Sequence, residues 1–468
     1  MKRRLLGLAL ALALPAVHAQ TGAADIRAGR AALAAEQPVQ ARARFAAALA
    51  DPGLGREDRC AAQLGLGQAT LWLGDYRAAA EAYRAALAQA PDEASRQVAA
   101  TGLAQALNAQ DRPREALALV APFAAGQLRP TVEVLRSLRS LDQAPRGRPY
   151  LDAAPPAPAG GYLGTQFRLL SDDMAYALAP HIDATFDASH DSEGLDTWHV
   201  GVGALSAPAT RGSASLAWGA RADTLEVDDG RRSRRVYGAS VLGQWHADTQ
   251  RLDLVLGSGR AGDWHFLQGS AAWTVQPSDD FGLSAGVERA PVPTPTSLAQ
   301  RLIGNRYALD LSLRASTHWY VLPGAYRQVF SDGNHRDGGG LRLLFSPLDV
   351  ADTRGALGAE LSTRLFHDSR PSRGVYFNPA RYRATQAGLI GVYGLDPGWK
   401  LRANADVGRQ WIDGNGASTY TVGLSLEGRL PGNGRLRLGV GRSSVASVSG
   451  GGAGYWNDNA SLSLSWTL

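Results

Sequence analysis

The chain is short of cysteine, of lysine and of charge generally. Cys60 is the single cysteine among 468 residues. That excludes an intramolecular disulfide framework, a paired-cysteine redox motif and a cysteine-based zinc cluster. A lone cysteine on a helical pattern reads first as a small buried residue and only second as a nucleophile. Lysine occurs only as Lys2 and Lys400, so nearly all positive charge is arginine, as genomic base composition can dictate. Charged residues are 19% of the chain, below the ~25% typical of soluble domains. The net charge of +5 becomes +2 once Lys2, Arg3 and Arg4 are subtracted, too little to argue for nucleic acid. Catalytic signatures are missing too: no GxSxG, HExxH or Walker loop occurs, and no GxGxxG unit with its downstream acid. His181, His190 and His199 recur at nine-residue intervals, but their neighbours are not ligand-like. Gly338-Gly339-Gly340 and Gly450-Gly451-Gly452 open no helix and read as hairpin loops. No enzyme activity, cofactor or metal is expected.

Long apolar runs are also lacking, with one short exception. Met1-Lys2-Arg3-Arg4 precedes an apolar run from Leu5 to Leu14, then Pro15 and the small residues Val17 and Ala19. This is the layout of a secretory signal peptide over 1–19, with cleavage expected after Ala19. The run is shorter than the ~20 apolar residues a membrane helix needs, and no later stretch qualifies. A chain that leaves the cytoplasm without such a helix can span a membrane only as a closed β-barrel.

What is present falls into two patterns. Residues 20–143 are rich in Ala, Leu, Arg and Glu at helical spacing. Leu66, Gly67, Gly74, Tyr76, Ala79, Tyr83, Ala86 and Pro91 match a tetratricopeptide repeat, a helix–turn–helix unit of about 34 residues. Small Gly67 and Ala79 let the two helices approach, Leu66 and Tyr83 fill between them, and Pro91 ends the second. Looser copies lie at Gly29, Ala41, Phe45, Ala48 and Pro52, and at Leu103, Leu107, Asp111, Ala116 and Val120. Such repeats bind through a groove. Pro145, Pro149, Pro155, Pro156, Pro158 and Gly160-Gly161 then predict a linker over 144–161.

After the linker the period becomes two. Tyr307, Leu309, Leu311 and Leu313 alternate with polar or small residues, as do Tyr420, Val422, Leu424 and Leu426, then Leu436, Leu438 and Val440, then Leu462, Leu464 and Trp466. One face is therefore apolar and one polar. Segments of about ten residues suit a tilted spanning strand, and Trp319-Tyr320, Trp411 and Trp466 sit where an interfacial girdle would place them. A soluble sandwich is the alternative. About seventeen candidate strands fit 162–468; barrels favour even numbers, so about sixteen are expected, enough for an aqueous lumen. Leu311, Leu424 and Leu464 are expected to face lipid. Asp253, Asp310, Arg314, Glu427, Arg429, Arg435 and Arg437 are the charged lumen candidates, a mixture suited to a neutral or weakly charged ligand.

The fold expected is thus α + β and multidomain: N-terminal helical repeats, then a C-terminal antiparallel transmembrane β-barrel. Tyr376, Phe377, Asn378, Pro379 and Tyr382 resemble the Tyr-Phe-x-Pro-x-x-Tyr segment in the barrel of the C-type cellulose synthase family. The whole layout resembles the outer-membrane secretins of exopolysaccharides, which also include the poly-N-acetylglucosamine and Pel export porins. This chain carries about three repeats, fewer than is usual there. The resemblance implies a bacterial outer-membrane channel for a polysaccharide, with outer-membrane lipid around it. It also implies repeats in the periplasm that dock synthase components or guide the glycan. A non-conducting surface receptor or assembly protein is the competing expectation.

Overall fold

The computed structural model describes residues 22–346, 355–371, 374–396 and 398–468; the expected leader lies outside them. Among these residues the chain divides into two compact units, one holding 22–142 and 147–171, the other 143–146 and everything from Asp172 onward.

The first unit is helical. It comprises α1 (22–34), α2 (Pro38–Leu49), α3 (Arg56–Trp72), α4 (Tyr76–Gln89), α5 (Glu93–Ala109), α6 (Pro113–Val120) and α7 (Leu128–Ser140). Turns are set locally. Asp75 and Asp92 cap α4 and α5 by accepting from the Ala78 and Ser95 amides, and Gly74 supplies the positive φ before α4. The core repeats one device. Phe45 lies against Gly29 and Gly65, where an added Cβ would stand 2.8 Å and 2.2 Å from its ring. Tyr83 lies likewise against Gly67 and Gly102, at 2.9 Å and 2.3 Å. Gly29 and Gly67, Phe45 and Tyr83, and Ala48 and Ala86 are each 38 positions apart. Tyr76, Ala79, Tyr83 and Ala86 are buried, Leu66 is partly buried, and Pro91 is exposed beyond the end of α4. Cys60 is buried with its thiol facing the Ala86 carbonyl at 3.6 Å, and burial pushes its pKa up.

The predicted linker needs correction. Residues Ala144–Asp152 form helix α8 and Gly161–Leu178 form helix α9, so the strands begin at His181 and not at 162. Pro145 sits in the first turn of α8, where its missing N–H is not needed. Pro149 costs one interior bond without stopping the helix. In α9, Leu163, Phe167, Leu170 and Met174 recur at helical spacing, a signal masked by the prolines before them.

The second unit is a closed antiparallel barrel. Its strands are β1 (His181–Asp191), β2 (Asp196–Leu205), β3 (Ala209–Arg211), β4 (Ala214–Asp228), β5 (Ser233–His246), β6 (Gln250–Ala261), β7 (Trp264–Val275), β8 (Phe281–Pro291) and β9 (Ile303–Arg314). They continue as β10 (Trp319–Phe330), β11 (His335–Phe345), β12 (Gly355–Asp368), β13 (Tyr382–Asp396), β14 (Trp399–Ile412), β15 (Asn415–Leu430), β16 (Gly434–Ser443) and β17 (Asn457–Thr467). The three-residue β3 pairs with the start of β4, while β2 pairs directly with the rest of β4. Sixteen strands therefore make the wall, which closes where β1 pairs β17.

Register decides the faces, because paired residues share one. Leu309 pairs Ala325, and Leu424 pairs Ala403 and Val440. This face carries large apolar side chains left open: Leu267 is 71% exposed, Val407 69% and Trp218 66%. No packed core leaves such residues uncovered; lipid covers them. Trp198, Tyr237, Tyr307, Trp411 and Tyr420 ring one end of this face and Trp273, Phe281, Trp319 and Trp466 the other. The opposite face points into the lumen. Gly338-Gly339-Gly340 is not a hairpin loop: it lies inside β11.

Candidate functional site: the lumen and its loop-covered end

His181 and Leu468 mark one end of the barrel, the terminal end. The opposite end carries three longer connections: 292–302 between β8 and β9, 369–381 between β12 and β13, and 444–456 between β16 and β17. Around the sixteen-strand ring these gaps are four strands apart, so the first and third lie diametrically opposite. They nevertheless touch. Val448 from the third packs with Val292, Leu302 and Tyr376, and with the cluster containing Leu298, Val227 and Val236. The Phe377 amide donates to the Val448 carbonyl at 2.9 Å, and Thr294 and Ser297 hydroxyls donate to the Val375 carbonyl at 2.6 and 3.0 Å. Loops that meet from opposite sides of a ring must cross its mouth.

Each loop is locally specified. Thr294 caps the short helix α10 (Pro295–Ala299), whose Leu298 is buried. In the middle loop the motif residues supply the core. Tyr376 stacks on Phe330 with centroids 4.8 Å apart, Phe377 is edge-on to Phe366 and Tyr382, and Tyr382 stacks on Phe366 at 4.6 Å. Asn378 and Pro379 are buried. The Tyr376 hydroxyl donates to Asp332 at 3.0 Å and accepts from Asn334 at 2.9 Å. Burial first, then the Asp332 and Asp368 charges, hold this phenol well above its ordinary pKa. Arg336 donates to both oxygens of Asp368, at 3.0–3.2 Å, and to the Phe377 carbonyl. In the third loop Ser449 and Tyr455 bond the buried Asp191.

Beneath these loops lies a cavity of about 380 Å³ lined by Glu288, Arg306, Tyr326, Gln328, Arg336, Arg364, Phe366 and Tyr376 among others. Arginines lie over aromatic rings throughout it: Arg306 over Tyr326 at 4.6 Å and Arg336 over Phe366 at 4.2 Å, with Arg364 over Tyr382 at 5.1 Å. The sequence gives no signal for Arg336 or Arg364, because glycines interrupt the alternation of β11 and that of β12 is weak, and none for Arg306 or Tyr326, because strand register alone brings these lumen residues side by side.

The charged candidates all fall on the lumen face of the register, but not together. Glu427, Arg429, Arg435 and Arg437 cluster on the β15–β16 hairpin near the terminal end. Arg437 pairs with Glu427 at 3.2 Å. Arg429 and Arg435 clasp Asp173, in the last turns of α9, at 2.7 and 2.5 Å, and Tyr176 reaches Ser465. Asp310 and Arg314 lie on β9, with Arg314 over Tyr320. Asp253, on β6, pairs with Arg251 at 2.7 Å. The three histidines diverge: His199 meets Asp187 on the lumen face while His190 meets Asp196 on the outer face. Among the described residues no cluster of three metal-ligating side chains occurs, and no helix is long and apolar enough to cross a membrane.

No family model matches the chain, and no curated protein matches it. Among solved structures it is similar to a bacterial polysaccharide outer membrane secretin at 13% identity, covering 62% of this chain and 99% of that one, with TM-score 0.53. Looser likenesses are CdiB from Acinetobacter baumannii (10% identity, 62% of this chain and 60% of that one, TM-score 0.38) and OmpT, an outer membrane protein of Vibrio cholerae (10%, 62% and 96%, TM-score 0.35). The chain thus has a closed sixteen-strand antiparallel β-barrel of outer-membrane type, the fold of that secretin's barrel, preceded by a helical region.

Proposed function

We propose that this protein is an outer-membrane channel that exports an extracellular polysaccharide. The observation that carries the reading is the union, in one chain, of a helical repeat unit with a barrel whose fold corresponds to nearly the whole length of a polysaccharide secretin. The loop-covered end faces outward and the terminal end faces the periplasm, the arrangement usual for bacterial barrels. The helices, of tetratricopeptide kind, dock synthase components or guide the glycan. Their groove of about 510 Å³, lined by Arg30, Glu57, Gln68 and Asp92 with apolar neighbours, is the surface for this. In the lumen, Thr421, Ser425, Ser461 and Ser463 offer hydroxyls to sugar hydroxyls. Many weak contacts suit a polymer that must enter and also leave. Deleting the gene should stop glycan reaching the surface while precursors persist; unchanged surface polysaccharide would refute export.

One observation favours a second reading. Three loops meeting across the mouth suit a non-conducting receptor or assembly protein. Purified protein in planar bilayers separates the two, with a channel opening at least transiently and a receptor staying closed.

A further inference from the structure

We infer that the recess in the lumen wall beneath the loops is a subsite for a sugar ring bearing a carboxylate. The biological role of such a subsite rests on the export reading; its chemistry does not. The recess is built by absence. Gly338 and Gly340 face the lumen on β11, beside Gly324 on β10, and a Cβ at Gly338 would stand 2.6 Å from the Tyr326 ring. The missing side chains let Tyr326 lie across the wall, and glycine inside a strand marks a place where something approaches closely. The cavity of about 380 Å³ falls within the ~300–1,000 Å³ of ordinary ligand sites.

Its charge decides the ligand. Arg336 is neutralised by Asp368. Arg306 has no ion pair among the described residues, although Glu288 stands opposite it in the register. Among the described residues Arg364 donates only to the Tyr382 hydroxyl and the Ala446 carbonyl, at 3.2 and 3.1 Å. Both side chains are exposed to the lumen. Two guanidinium groups therefore face one carboxylate, Glu288, beside the face of an aromatic ring. A guanidinium binds a carboxylate through two parallel hydrogen bonds, while a cationic sugar would be repelled and a neutral one has no use for the second charge.

The test is calorimetric titration of the full-length protein in detergent at low salt, with oligogalacturonate, a cello-oligosaccharide and a chitosan oligosaccharide as carboxylate, neutral and cationic probes. Oligogalacturonate should bind best, and added salt should weaken it. The double variant Arg306→Gln/Arg364→Gln should bind about tenfold more weakly or worse. Gly338→Val, which drives a side chain into the Tyr326 ring, should do the same, while Arg327→Gln on the outer face should not. Heat-modified gel migration checks that each barrel is folded. Equal binding of the neutral probe, preference for the cationic one, no binding of oligogalacturonate at millimolar concentration, or full binding by the folded double variant would each overturn the subsite. Export is judged separately. Surface polysaccharide lost on gene deletion without oligogalacturonate binding sinks the subsite alone; binding with surface polysaccharide unchanged sinks export alone.

Discussion

The Asp368 side chain is fully enclosed, and Arg336 is its counter-charge. Asn334 adds a hydrogen bond at 3.0 Å. Removing only the arginine strands a buried charge, which costs about 3–5 kcal/mol, whereas removing both partners costs far less. Arg336→Met should therefore loosen the loop-covered end in urea and expose the 369–381 loop to protease. Arg336→Met/Asp368→Leu should recover most of the loss, and a double variant as weak as the single would show that the charge is not the cause. Tyr376 titrates in the same cluster. Its folded pKa is raised above the ordinary phenol value, chiefly by burial. Its contribution is thus complete below the unfolded value near ~10 and fades as pH rises toward the folded value. Protease sensitivity of the loops should increase above about pH 10. Tyr376→Phe should flatten part of that rise, the remainder belonging to Tyr455, which burial also raises. An identical alkaline profile in both proteins would remove Tyr376 from the account.

At the scale of elements, the helices and strands answer to different solvents. Between helices the limit is space. Gly102 faces the Tyr83 ring where a Cβ would lie at 2.3 Å, so Gly102→Ala should cost about 1–3 kcal/mol by overpacking. The thermal melt of the helical signal should shift down while the barrel keeps its heat-modified gel migration; a barrel that fails with it would deny the unit its separate core. Between strands the limit is lipid. Leu424 lies on the outer face and Ser425 on the lumen face, so Leu424→Arg should cost about 2–4 kcal/mol and Ser425→Arg much less. Equal refolding free energies into lipid would mean a one-residue error in register. This asymmetry also explains what was legible in sequence. Lipid demands apolar residues, so Tyr307–Leu313 and Tyr420–Leu426 showed their period plainly. The lumen accepts glycine, apolar or charged residues alike, so β11, whose lumen-facing Gly338 and Gly340 flank a further glycine at 339 on the outer face, reads as a loop. The helix Gly161–Leu178 was hidden by the prolines before it, although its own apolar spacing is helical.

At the scale of the whole molecule, the meeting of loops across the mouth could not be read from the chain, because no local pattern says which hairpins end up opposite each other. Closure of the ring does. Once β1 pairs β17, the 292–302 and 444–456 loops face each other across eight strands, and Val448 is the residue that reaches between their clusters. The covering is held by apolar contact and a few hydrogen bonds, without a covalent tie, and Gly450, Gly451, Gly452 and Gly454 stand beside Val448 in a loop able to change its path. These features describe a lid over a lumen otherwise wide enough for water at about sixteen strands. Val448→Asp places a charge in both apolar clusters, and replacing 447–453 by two glycines removes the crossing altogether. In planar bilayers the unaltered protein should conduct little, Val448→Asp should open intermittently, and the shortened loop should conduct steadily several-fold more. Cells carrying the shortened loop should also become permeable to large hydrophilic antibiotics. If the shortened protein inserts, migrates as a folded barrel and still fails to conduct, the barrier lies elsewhere in the lumen. The last turns of α9, where Asp173 joins Arg429 and Arg435, would then be the next segment to displace, and the non-conducting reading would gain over the channel.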